Sequence, residues 1–152
     1  MVGDIGDELR ARREGENGHC LIPHTADMRL QAWGTTRERC LAEAVSALVE
    51  AFADVSDVHP TTVERVRIAP GADEDLLVAL LDEVVFRLEV AGLIPVDTEV
   101  EPTDDDALEA RLSLAGLTDV TVVGAAPKGV SWQELRFGPD PYGWSCTVIV
   151  DV

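Results

Sequence analysis

The chain has 152 residues, is 46% apolar and carries a formal net charge of −17. That length buries a sizeable core in one domain without covalent staples. No apolar run reaches the 18 residues of a membrane-spanning helix, and so acidic a surface argues against sequence-independent binding to a nucleic-acid backbone.

Residues 1–17, "MVGDIGDELRARREGEN", mix acids and bases without a continuous apolar stretch. They fit neither a signal peptide nor a basic targeting helix and are expected as a disordered, solvated tail before a single domain at 18–152. Cys20, Cys40 and Cys146 have no C-x-x-C spacing and read as inert buried thiols in a reducing, cytoplasmic setting.

Residues 27–33, "DMRLQAW", alternate: Met28, Leu30 and Ala32 point one way, Asp27, Arg29, Gln31 and Trp33 the other. Gly34 breaks this strand. "TTRE" then predicts a helix start with Thr35 as N-cap and Glu38 closing a capping box, and Leu41, Val45, Leu48 and Phe52 mark one face to about Ala53. A second strand is expected at Thr62–Ile68 between Pro60 and Pro70. A second helix follows with acidic residues Asp73, Glu74 and Asp75 in its first turn, a broad leucine-valine stripe from Leu76 to Leu88, and Gly92 as its end. After Pro95 the signal is β only: "ALEARLSLAG" turns Leu108, Ala110, Leu112 and Leu114 inward, and "KGVSWQELRF" and "GWSCTVIVDV" form strands joined across "GPDPYG". Two amphipathic helices on largely antiparallel sheet make an α+β fold.

Several chemistries fail on their motifs. "GAAPKGV" has its glycine and lysine in the wrong order for a phosphate loop, and neither G-x-G-x-x-G nor G-x-S-x-G occurs. His19, Cys20, His24 and Asp27 lack structural-zinc spacing. Cys20 with His24 has no third group to orient a nucleophile.

The strand-end acids are more informative. Asp151 shares a face with Thr147 and Ser145, opposite Trp144, Cys146, Val148 and Val150. If the strands holding Asp27 and Asp151 are antiparallel neighbours, the two carboxylates approach within a few ångströms, and a proton or a cation must relieve their repulsion. With the terminal carboxylate at Val152, the donors are all oxygen, as a hard divalent ion prefers. Spacing alone leaves open that these are two unrelated surface acids. Among eleven Arg, the one lysine is Lys128, a compact and rotatable donor that Arg does not mimic.

Over residues 18–152 the chain resembles the archease family. The likeness rests on "HTADMRLQAWG" with its helix start, "DEDLL" and "LLDE" of the second helix, "KGVSW", and the terminal "VIVDV". The resemblance implies an archease-like sandwich. It also implies an accessory protein, not an enzyme, that activates the GTP-dependent tRNA-splicing RNA ligase, which joins 3′-phosphate or 2′,3′-cyclic-phosphate ends to 5′-hydroxyl ends. Guanylylation and multiple turnover of that ligase would be promoted by protein–protein contact, with RNA involved only indirectly and no membrane. The family's metal ligands map onto Asp27, Asp151 and Val152 and its important lysine onto Lys128; Asp27, Lys128 and Asp151 would activate the partner, with His24 in support. The implied cofactor is a divalent cation, Ca²⁺ first, with Mg²⁺ or Mn²⁺ as alternatives. The chain departs from the family at Gln133, where a histidine is common, so no histidine role carries over. Two other classes stay open: a chaperone or modulator of RNA-modifying enzymes, and a small metal-dependent phosphohydrolase, against which the lack of a histidine-rich centre speaks.

Overall fold

The computed structural model describes residues 5–23 and 27–152. Four antiparallel strands form the larger sheet in the order β1 (Gly18–Pro23), β2 (Asp27–Gly34), β9 (Gly143–Asp151), β8 (Gly129–Asp140). A three-stranded sheet runs β4 (Thr62–Ile68), β6 (Leu108–Gly116), β5 (Leu93–Pro102), and β3 (Ala53–Asp54) pairs with β7 (Thr121–Val122). Helix α2 (Arg37–Glu50) packs on β1, β2 and β9 of the larger sheet and on β5 of the smaller, while α3 (Asp73–Ala91) contacts β8, β4 and β5. The α+β fold is therefore as expected, and the helices join the two sheets into one core.

The apolar stripes build that core. Leu41, Val45, Leu48 and Phe52 are buried, as are Leu76, Leu77, Leu80, Leu81, Val84, Val85 and Leu88 on α3 and all four inward residues of β6. Each fully buried leucine contributes on the order of 1.5–3 kcal/mol. Gly92 ends α3 in the left-handed region at φ 62°, as its position predicts.

Four details differ from the sequence reading. The α2 cap is Thr36, not Thr35: its hydroxyl accepts from Arg39 N at 3.1 Å, while Thr35 N is held by Asn17 Oδ1 at 2.8 Å. Glu38 thus falls one position early and pairs with Arg37 at 2.8 Å, so the capping box does not form. Trp33 lies on the polar side of the alternation yet is buried, because its indole occupies the space a Cβ at Gly18 would fill, 2.6 Å from Trp33 Cζ2. Inside the segment expected as a disordered tail, α1 (Ile5–Arg13) is helical, and Arg12 bonds to Asp140 and lies 5.4 Å from the Tyr142 ring centre. Strand β1 was not anticipated.

Candidate functional site

The outer face of the larger sheet is fixed by its register. Buried Leu30, Ala32, Cys146, Val148 and Val150 hold one face of β2 and β9 against the core, so their alternate residues face outward. Asp27 is then directly opposite Asp151, and Asp151 is opposite Gly129 on its other side. Facing residues in an antiparallel pair have Cα atoms roughly 4.5–5.5 Å apart. The two acids expected to meet do meet in register. Asp27 is half-buried with its Oδ1 shielded from solvent; Asp151 is exposed and its side chain makes no hydrogen bond or ion pair among the described residues.

Lys128 is brought to the same end by the main chain. Its N–H donates to Asp151 O at 2.8 Å, and its exposed ammonium forms no ion pair among the described residues. Val152 follows directly and packs its half-buried side chain on the core. His24 lies outside the described residues. The sheet end therefore gathers two carboxylates and a lysine. No group of three or more His, Cys, Asp or Glu side chains gathers as a metal site among the described residues. Both side-chain donors at this end are hard oxygens, which fits a hard cation rather than zinc, and further oxygens would have to come from main chain.

Among the described residues the zinc set is not brought together, and the pairing of Cys20 with His24 falls on a residue outside them. His19 and Cys20 are adjacent on β1 and so face opposite sides. His19 Nδ1 bonds to Glu43 at 2.7 Å and Nε2 to Glu50, both on α2, whereas Cys20 Sγ donates to Gln31 Oε1 at 3.4 Å. The Glu43 bond, opposed by burial and assisted by Glu50, raises the His19 pKa above the usual histidine range. Cys40 is fully buried, and its hydrogen bond with Cys146, together with burial, pushes its thiol far up, so it is no thiolate at neutral pH.

Sequence reasoning missed one outward cation, Arg136. From Ser131 to Arg136 strand β8 advances five residues while β9 goes from Ile149 to Thr147, two. That bulge adds an odd number of residues, flips the alternation, and turns Arg136 outward and Phe137 into the core.

Similarity to known proteins agrees with this architecture. Residues 19–152 match the model of the archease protein family (MTH1598/TM1083). A probable protein archease of Mycobacterium tuberculosis is 39% identical over 136 residues, covering 90% of this chain and 75% of that one. A protein archease of Methanosarcina barkeri is 25% identical over 136 residues, 86% of this chain and 93% of the relative. Among solved structures, protein 1598 of Methanobacterium thermoautotrophicum superposes with a TM-score of 0.72 at 23% identity, over 89% of this chain and 99% of that one. A Thermotoga maritima archease, described as a possible chaperone, gives 0.62 at 19%, over 86% and 94%. With the family model spanning both strands of the acidic pair, the chain belongs to the archease family.

Proposed function

We propose that this protein is a non-catalytic, cation-binding accessory protein that activates the GTP-dependent 3′-phosphate/5′-hydroxyl tRNA-splicing RNA ligase, promoting its guanylylation and multiple turnover. The observation that carries the proposal is the register of β2 on β9, which opposes Asp27 and Asp151 with Lys128 one main-chain hydrogen bond away. Opposed carboxylates are costly unless a cation or proton neutralises them. Here Asp27, Asp151 and an oxygen of Val152 hold a divalent ion, Ca²⁺ or alternatively Mg²⁺ or Mn²⁺, which supplies a concentrated positive charge at the sheet end. Lys128 offers a rotatable ammonium to an anionic group of the partner's active site, which is positioning chemistry. The −17 charge keeps RNA off the accessory surface, so RNA contact runs through the ligase.

The test is purified ligase assayed over many turnovers with the wild-type protein, Asp27→Ala, Asp151→Ala or no addition. Stimulation should vanish with either variant while the unstimulated rate stays as it is without addition. Undiminished stimulation by a folded variant refutes the proposal. A second reading, a chaperone for RNA-modifying enzymes, draws on Phe86 and Val90, which stand one turn apart on α3 at 57% and 68% exposure. Metal-independent rescue of several clients, lost in a Phe86→Ser/Val90→Ser variant, would favour it.

A further inference from the structure

Two residues along β2 from the acidic pair, the same outer face changes sign. A cleft of about 250 Å³ is lined by Arg29, Gln31, Glu134, Arg136 and Thr147, contributed by three adjacent strands. The register fixes this grouping: Arg136 is opposite Thr147, Thr147 is opposite Gln31, and Arg29 is two residues from Gln31 on the same face. From the geometry we infer that this cleft is an oxyanion site for a phosphoryl group, and that Glu134 is an internal stand-in for its ligand.

Donors converge there without enough acceptors. Arg29 Nε is buried and finds no acceptor, and Arg136 is exposed without an ion pair among the described residues. Gln31 uses its oxygen for Cys20 Sγ, which leaves its amide N–H groups to donate, and Thr147 adds a hydroxyl. In a chain with 29 acids and 12 bases, two arginines sharing one cleft with a single carboxylate stand against the composition. That carboxylate is Glu134, bonded to Arg29 Nη2 at 2.9 Å. It is 58% exposed and sits on the β8 bulge at φ 57°, a left-handed conformation that strains a non-glycine residue. An exposed ion pair is weak in water, so an incoming anion displaces Glu134 easily. Two guanidinium forks with two neutral donors offer more N–H and O–H groups than one carboxylate can accept, whereas the three terminal oxygens of a phosphate monoester accept them. The strong negative field disfavours a polyanion, so a single phosphoryl group is the ligand class. The cleft stands on its own residues and needs no bound cation.

The experiment is an NMR titration of the full chain, in EDTA, with inorganic phosphate, GMP or acetate, following the Arg29 Nε–H and the Thr147 amide. Phosphate and GMP should both saturate these signals; saturation by GMP alone would assign the phosphoryl group to a nucleotide. Acetate should act more weakly. Glu134→Ala should tighten phosphate about two- to fivefold by removing the competitor, and Arg136→Ala should weaken it by at least that factor. Saturation by neither phosphate nor GMP, acetate equal to phosphate, or identical affinity in Glu134→Ala and Arg136→Ala would each overturn the assignment. Because EDTA removes divalent ions, failure here is distinct from failure of the cation pocket.

Discussion

The two larger antiparallel sheets of this molecule both turn a charged face to solvent, and they handle charge differently. On the smaller sheet, Arg65 pairs with Glu109 at 2.8 Å, Arg111 with Glu99 at 3.2 Å and Arg67 with Asp105 at 2.6 Å. Like residues do face each other there, Arg65 opposite Arg111 and Glu101 opposite Glu109, but diagonal partners of opposite sign lie within reach. On the larger sheet the balance shifts along the strands instead: acids at the β2–β9 end, and two residues further in, two arginines against the single carboxylate of Glu134. A face whose charges cancel locally needs only water, whereas a face with an excess of one sign at each end is arranged to meet other charges. The two faces thus read as a solvated surface and a recognition surface.

Substitutions can break this contrast. The largest effect is expected on the recognition face, where Asp151→Ala should abolish ligase stimulation in a turnover assay and leave the urea midpoint nearly unchanged, since its side chain is exposed and makes no described bond. Core truncation should do the reverse: Leu41→Ala, at a site with no exposure, should cost about 2–5 kcal/mol in urea unfolding. The fraction that stays folded should still stimulate the ligase.

A smaller effect is expected from the clamp between β1 and α2. The His19 pKa is raised in the folded protein, so the protonated ring is the stabilising form. Its contribution is complete below the unfolded histidine value of about 6.5 and is lost as pH rises through the higher folded value. The stability advantage of wild type over His19→Gln, about 1 kcal/mol, should therefore be greatest in mildly acidic buffer and shrink toward alkaline pH. An advantage that grows with pH would contradict the assignment. The smallest effect belongs to the matched face: a double-mutant cycle on Arg111 and Glu99 should return a coupling below about 1 kcal/mol and no change in stimulation. A large loss of stimulation there would erase the distinction between the sheets.

How far the fold was legible depended on whether the signal was periodic or tertiary. The α3 stripe and the β6 alternation are local patterns, and both helices and the main strands followed from them. Asp27 and Asp151, 124 residues apart in sequence, were joined by reasoning about strand ends, and the register bears the pairing out. What was missed depended on long-range partners. Thr36 rather than Thr35 caps α2 because Asn17 holds Thr35 N. Trp33 is buried because Gly18, on the neighbouring strand, has no side chain. Strand β1 is a six-residue segment ending in Pro23, too short for its alternation to stand out. Arg136 was hidden by a bulge that shifts the alternation by an odd count, which no local pattern records.

Whether the opposed acids share a cation is the point on which the functional account turns, and calcium titration calorimetry on metal-stripped protein addresses it directly. The account predicts one saturable site in the wild type that is lost in both Asp27→Asn and Asp151→Asn, each variant still folded by circular dichroism. Identical titrations for the wild type and the two folded variants, or no saturable binding of Ca²⁺, Mg²⁺ or Mn²⁺ to the wild type, would contradict it.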